Sequence, residues 1–525
     1  MDRELSTQLK WLSQQASCLQ GMKRGLEKES LRIDGDGWLA QTPHPAALGS
    51  ALTHPSITTD YSEALLELIT PPCDSIASAF GFLDEVHAYV YSQLGSERLW
   101  VNSMPCKLGP DEQIPLAQYG SSNIGRMKTL YRHGLGLRYG RRMQTIAGIH
   151  YNLSFPDSFW QAWQETSGNS QSLTDFRSEK SFALIRNFQR RSWLLLYLLG
   201  ASPAVCGTFL EGRQHGLDTM PSGTLYRPNA TSLRMSSLGY QNDAQSDLKV
   251  SYNALDKYVR DLDRAIRTPY APYEALGVKQ SGVYQQLNGH ILQIENEYYG
   301  LIRPKRNSGS GERPTQALAR AGVEYVELRC VDLDPFEPFG ISLDSAHFLE
   351  VFALHCVLSE SPLFSDADYH RLPLNQQAMV ECGRDPALML DTGTEAKRFR
   401  DLAAQLFAEL LPVAEILDTA HVTSAYSAAL SVQLAKLQEP SLTGSAMVLR
   451  ALEEWDGCFY HFAMDRAEQA YAHYKQRPLA AERAQAYRDV AEASLQRQAD
   501  LEAQPAPAFD EFLQQYFADA PTGVA

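Results

Sequence analysis

The feature that most limits what this chain can become is a set of short alternating runs, each carrying an acidic or imidazole residue among apolar ones. Leu65 to Thr70 places Glu67 between Leu65 and Ile69, and Pro71-Pro72 closes the run. Met143 to Ser154 alternates, with Gln144, Ile146, Gly148, His150, Asn152 and Ser154 on one face and Thr145, Ala147, Ile149, Tyr151 and Leu153 on the other. Val323 to Val331 sets Tyr325, Glu327 and Arg329 together, and Gly25 to Ser30 sets Glu27 and Glu29 together. Ile291 to Tyr299 reads the same way, with Gln293, Glu295, Glu297 and Tyr299 aligned. One such glutamate reads as a solvated sheet face. As a set, the runs predict a central sheet on which carboxylates converge.

Convergence has an electrostatic consequence. Two carboxylates about 4 Å apart repel by roughly 4 kcal/mol at an effective dielectric near 20. Several together exceed what a stability margin of about 5–15 kcal/mol tolerates unless protons or cations compensate. Oxygen donors with one imidazole suit Mg²⁺ or Mn²⁺ rather than zinc, and magnesium in a carboxylate site completes its shell with phosphate and water. Positive partners for phosphate are at hand in Arg329 and in Arg303-Pro304-Lys305-Arg306, although that segment also reads as a plain solvated charge run. No Gly-x-x-x-x-Gly-Lys-Ser/Thr loop occurs, and Gly134 to Gly140 has the wrong spacing for a dinucleotide fingerprint.

Composition narrows the class further. The chain has 47 basic and 62 acidic residues, a net charge of -15, which disfavours nucleic acid as a partner. Trp193 to Leu199 is too short to span a bilayer and reads as a buried helix end, so a cytoplasmic protein with no membrane partner is expected. Eight scattered cysteines without a Cys-x-x-Cys pair argue against a zinc–cysteine site and a disulfide framework. Helical spacing predicts helices over 5–20, 76–95, 178–199, 251–267 and 343–360, then 397–417, 425–437 and 462–503, with a break at Pro478. The expected organisation is a catalytic part over 1–342 and a mostly helical part over 343–525, whose Pro- and Ala-rich tail from Pro505 is loosely held apart from an amphipathic patch at Phe509–Phe517.

Several of these segments carry a family resemblance. Gly25-Leu-Glu-Lys-Glu-Ser30, Ser50 to Asp60 with Glu67, Tyr119 to Gly125, Met143 to Ser154, Ala230 to Tyr240, Leu292 to Glu297 and Val323 to Arg329 together resemble the proteobacterial glutamate–cysteine ligases, in register over roughly 20–340. The resemblance implies an α+β fold with a glutamine synthetase-like curved, mostly antiparallel sheet forming a funnel, backed by helices. It also implies ATP-dependent joining of the glutamate γ-carboxylate to the cysteine amine through γ-glutamyl phosphate, the first step toward glutathione. Metal ligands then fall on Glu27, Glu29, Asp60, Glu67, His150 and Glu327. Arg132 and Arg329 face the transferred phosphoryl group, and Arg234 grips a substrate carboxylate. Tyr131, Ile146, Tyr240 and Tyr299 receive the cysteine side chain, and Asn152 belongs to the nucleotide site. Tyr298 stands where the family has an aliphatic residue, so two adjacent tyrosines compete for that pocket. Magnesium, or manganese, and ATP are the expected cofactor and substrate, and the chain is expected to be a monomer. A ligase with another amine acceptor, a phosphagen-kinase-like phosphotransferase and a non-catalytic nucleotide-binding regulator remain the rival readings.

Overall fold

In the computed structural model, which describes residues 3–105, 107–238, 245, 248–309 and 311–518, the alternating runs meet in one sheet. Its strands are β1 (Lys23–Ile33), β2 (Ile57–Thr59), β3 (Leu65–Ile69), β4 (Arg98–Leu99), β5 (Ile149–Ser154), β6 (Ile302–Lys305) and β7 (Tyr325–Val331). They run in the order β6-β7-β5-β1-β3-β2, with β4 beside the C-terminal end of β1, and every pairing is antiparallel. The register does what the sequence pattern only suggested. Glu29 lies opposite Glu67, Glu27 opposite His150 and Glu327 opposite Asn152. Directly opposed residues of an antiparallel pair share a face, so these side chains gather on one side of the sheet.

The other side packs on helices. The helices that matter here are α1 (Arg3–Gln14), α2 (Ile76–Gln93), α3 (Asn123–Tyr139), α4 (Leu173–Leu198), α5 (Leu343–Leu358), α6 (Phe399–His421), α7 (Ala425–Gln438), α8 (Phe459–Gln476), α9 (Ala481–Ala503) and α10 (Phe509–Ala518). α2 opens on a capping box in which Ser75 and Ser78 satisfy each other's backbone N–H groups. α5 is apolar all round and buried from Ser345 to Leu358 except at His347, packed between α4 and the α6–α7 pair. Trp193 to Leu199 forms the buried end of α4. The Arg24 guanidinium of β1 meets Glu350 of α5 through two bonds, Nε–Oε1 at 2.7 Å and Nη2–Oε2 at 2.9 Å. Tyr151 and Tyr426 donate to the same carboxylate, each at 2.7 Å. The later helices pack back on α2, where Tyr474 stacks on Tyr91 and Tyr487 on Tyr89, with ring centroids 4.9 and 5.1 Å apart. Among the described residues, no helix is long and apolar enough to cross a membrane.

Three expected elements differ. Ile291 to Tyr299 is not a strand but a loop with a 3-10 turn at Glu295–Glu297. Its side chains take the backbone groups that a ladder would have used: Gln293 accepts from the Leu287 N–H, and Glu297 accepts from the Gln293 N–H. The Met143–Ser154 run becomes a strand only from Ile149, because Arg142–Thr145 winds as a 3-10 turn. The described part of the tail, through Ala518, is held more firmly than expected, since α10 buries Phe509 and Leu513 against Met127, Leu130 and Leu287.

Candidate active site

A cavity of about 660 Å³ opens on the acidic face of the sheet, lined among others by Glu27, Glu29, Asp60, Glu67, His150 and Glu327. His150 sits at the centre. Its Nδ1 is 3.0 Å from Glu27 Oε2 and 3.9 Å from Glu327 Oε1, and its Nε2 is 3.8 Å from Glu29 Oε1. Two overlapping groups, Glu27–His150–Glu327 and Glu29–Glu67–His150, each bring their donor atoms within 4.8 Å of one another. Asp60, which follows β2, is fixed by its N–H bond to the Leu65 carbonyl at 3.0 Å and extends the acidic lining.

The carboxylates divide into two states. Burial opposes ionisation of Glu327, yet Lys305 Nζ at 3.2 Å and Arg329 Nη1 at 3.1 Å hold its carboxyl well below the usual range. Burial likewise opposes ionisation of Glu27, but the bond to His150, together with the charges of His150 and Lys305, offsets it and lowers the pKa. Glu67 is pushed well above the usual range by burial and then by Glu27, Asp60 and Glu29. Glu29 is raised by burial, against the pull of His150. Glu67 and Glu29 are thus driven toward the neutral form, and a bound cation would reverse that drive. Hard oxygen donors around one imidazole fit magnesium or manganese.

The cavity's other wall is α3. Its helical spacing turns Lys128, Tyr131, Arg132, Leu135, Arg138 and Tyr139 toward the cavity, and the helix is capped by Ser122, whose Oγ accepts from the Gly125 N–H. The Arg132 guanidinium bonds the Asp60 carbonyl and stacks 4.6 Å over the Tyr119 ring. Tyr299 lines the cavity, whereas Tyr298 meets the Tyr252 hydroxyl at 3.4 Å. Of the basic segment, Arg303 and Lys305 enter the cavity, while Arg306 bonds the Gly322 carbonyl at 2.6 Å.

Arg234 and Ile146 are not among the described residues that line the cavity; both are buried one layer behind it. Arg234 donates to the Arg329 and Val331 carbonyls and lies within 3.5 Å of Asp332. Gly148 makes this possible. A Cβ there would come 2.1 Å from Arg234 Nη2, while the Gly148 N–H donates to Glu29 Oε2 at 2.7 Å. Tyr240 lies outside the described residues.

Behind Glu27 a second cavity of about 750 Å³ forms an open trough lined by Ile69, Pro71, Pro72, Asn152, Tyr325, Tyr487 and Val490 among others. Asn152 links the two cavities. Its Nδ2 donates to Glu27 Oε1 at 2.8 Å, and its buried Oδ1 has no hydrogen-bond partner among the described residues. Sequence reasoning missed Lys128 and Arg138 in the first cavity and most of the second, and it placed Glu297 on a strand without a site role. The α3 residues carried a usable signal, the spacing of Lys128 with Tyr131 and Arg132. The trough residues carried none, being ordinary apolar and proline positions.

The sequence model described as glutamate-cysteine ligase matches residues 9–379. The glutamate–cysteine ligase of Alcanivorax borkumensis is 53% identical over 513 residues, 96% of this chain and 97% of that one. That of Azotobacter vinelandii is 49% identical over 505 residues, 96% and 95% of the two chains. The crystal structure of the Francisella tularensis glutamate–cysteine ligase in complex with AMP superposes with a TM-score of 0.89 at 37% identity, over 95% of this chain and 98% of that one. A bifunctional glutathione synthetase from Pasteurella multocida gives a TM-score of 0.71 at 28% identity, with this chain covering 55% of it. With a matching family model over most of its length and relatives near half identical from end to end, the chain belongs to the glutamate–cysteine ligase family.

Proposed function

We propose that the protein joins the γ-carboxylate of glutamate to the amine of cysteine at the expense of ATP, giving γ-glutamylcysteine. The observation that carries this is the cross-strand register that sets Glu27, Glu29, Glu67, His150 and Glu327 around one cavity, separated by Glu27 from an apolar trough of nucleotide size. Relatives near half identical bear the ligase name, and one solved relative is a complex with AMP.

In this reading the trough takes the nucleoside, with the unpaired Asn152 oxygen accepting from a base amine or ribose hydroxyl. Glu27, Glu29, Asp60, Glu67, His150 and Glu327 are the proposed magnesium ligands. Magnesium bound there supplies the neutralising charge for the phosphates. An oxygen of the glutamate γ-carboxylate bonds the γ-phosphorus as its bond to ADP breaks, giving γ-glutamyl phosphate. Arg132 and Arg329 face the charge on the group in transfer, both already oriented by carbonyl or carboxylate partners. The cysteine amine then attacks the acyl carbon, and phosphate leaves. Tyr131 and Tyr299, which line the cavity, receive the acceptor side chain, a role the family resemblance also gives to Ile146 and Tyr240; Arg234, packed against Gly148, is the proposed anchor for a substrate carboxylate.

The deciding experiment is phosphate release from ATP with glutamate, measured with and without cysteine. Release that requires both amino acids is expected. Release independent of cysteine, or none, overturns the reading. A ligase for another amine is separated by the acceptor series: α-aminobutyrate should replace cysteine, and serine should fall on the order of 10- to 100-fold, since its hydroxyl would be buried without a partner.

A further inference from the structure

We propose that α10, the last helix, is a positioning element for the acceptor side of the cavity and acts through α3. This rests on the ligase reading for its kinetic consequence and on geometry alone for its structural one. α10 joins a small apolar cluster apart from the main core, in which Phe509 and Leu513 bury against Met127 and Leu130 of α3 and against Leu287. The cluster reaches the cavity itself, because Tyr131 and Ile294 pack on it and also line the cavity wall.

Polar ties fix α10 mainly to the same two elements, with one further bond from Arg267 Nη1 to the Phe517 carbonyl at 3.0 Å. The Arg126 guanidinium lies 4.2 Å over the Phe509 ring, and Asn123 Nδ2 donates to the Pro507 carbonyl at 2.9 Å. Asp510 takes the Lys279 ammonium at 2.6 Å and the Tyr284 hydroxyl at 2.9 Å, on the loop leading to Glu297. That loop is in turn tied to α3, where Arg138 bonds Gln286, the Asn288 carbonyl and Glu297, and Gln293 Nε2 donates to the Tyr131 carbonyl. Residues 504–507, between α9 and α10, are exposed. α10 is thus held by the wall it supports. Removing its apolar anchors frees Tyr131 and Arg132 to shift while the sheet and its carboxylates stay in place.

The test uses the full chain carrying Phe509→Ala and Leu513→Ala together, beside Phe509→Leu, which keeps most of the apolar volume. Kinetics are taken well below each protein's own melting midpoint, so that loss of fold does not enter. The KM for cysteine should rise on the order of 10- to 100-fold in the double variant, the scale expected when a contact wall moves by about 1 Å. The KM for ATP should stay unchanged, and Phe509→Leu should behave nearly as wild type. Hydrogen exchange over residues 123–139 reads the same event without any activity assay, and it should quicken in the double variant while β1 and β5 hold. Unchanged exchange in α3, or parallel rises in the KM for ATP and cysteine, would overturn the proposal. A wild-type protein that ligates nothing would sink the ligase reading, while the exchange result would still decide this one.

Discussion

The two faces of the sheet treat a buried carboxylate in opposite ways. On the helix side, Glu350 receives four donors, two from Arg24 and one each from Tyr151 and Tyr426. Burial opposes its charge, but Arg24 and the two hydroxyls more than offset it, and its pKa is lowered. On the cavity side, Glu67 is half-buried at the cavity wall, has no donor among the described residues, and faces Glu29 across the ladder. The first arrangement is complete within the protein and ties β1, β5, α5 and α7 together. The second leaves its acidic charge unmatched within the protein, which is the basis for the magnesium ligands proposed above. A buried acid whose charge the chain itself neutralises is architecture; one whose charge it leaves unmatched marks the place where something binds.

That contrast predicts its largest effect on the helix side. Glu350→Gln leaves the Arg24 charge buried without its partner and should destabilise the fold by about 3–5 kcal/mol, read from denaturant melts. Turnover per folded molecule should be nearly untouched. The pH dependence has a fixed sign. Because folding lowers the Glu350 pKa from the ordinary 4.5, its contribution is complete above 4.5 and is lost as pH falls through the folded value. The gap between wild type and Glu350→Gln should therefore be widest near neutrality and narrow in acid. A gap that widens in acid would mean that this carboxylate is not the ionised partner described here.

On the cavity side the signs reverse. Glu67→Gln replaces a carboxyl that burial and its acidic neighbours already drive toward the neutral form, so the metal-free protein should melt no lower than wild type and stabilisation by magnesium should shrink. Turnover should fall on the order of 10²- to 10³-fold, the scale seen when one electrostatic stabiliser of a transition state is removed. Thermal melts with and without magnesium, set beside phosphate release, check both halves. Unfolding of this variant, or near-normal turnover, would erase the distinction between the faces.

How far the sequence revealed this contrast follows from the kind of signal each part leaves. Glu67, Glu327 and His150 were legible because a charge inside a strand of leucine, valine and isoleucine has no cheap explanation, and period-two alternation gave their shared face. Glu350 was not, since it sits in a continuously apolar helix and gains its meaning only from Arg24 and Tyr151, which are nearly 200 or more residues away. The loop bearing Glu297 alternates as a strand does, yet its own Gln293 and Glu297 side chains capture the backbone. The trough was invisible for a third reason. Its walls combine Pro71, Tyr325 and Tyr487, apolar residues that any core would use, and no local pattern shows that they face an opening.

Gly148 tests whether the register has to be this tight. Gly148→Ala would drive a methyl to 2.1 Å from Arg234 Nη2, so the guanidinium or β5 has to move. A displacement of about 1 Å beside a substrate carboxylate is expected to raise the KM for an amino-acid substrate on the order of 10-fold or more, with a smaller change in the KM for ATP. Wild-type kinetics in this variant would show that Arg234 plays no part in substrate binding.

The smallest effect belongs to the residue between the two cavities. Asn152 supports Glu27 with its amide N–H, and its buried, unpartnered oxygen is the proposed acceptor for the nucleoside, so in that reading Asn152→Ala removes one bond on each side. The oxygen's contribution, a neutral hydrogen bond, is worth about 1 kcal/mol, or roughly a 5-fold rise in the KM for ATP. The amide's contribution appears elsewhere, as a modest loss of turnover through Glu27, because that carboxylate still keeps its 3.0 Å contact with His150. The KM for cysteine should not change. Asn152→Asp separates the two roles: the oxygen acceptor remains, but a second carboxylate now faces Glu27, so the KM for ATP should move little while turnover and magnesium dependence worsen. Should both variants raise the KM for ATP and for cysteine alike, the two cavities would have to be treated as one site, and the division drawn at Glu27 would fall.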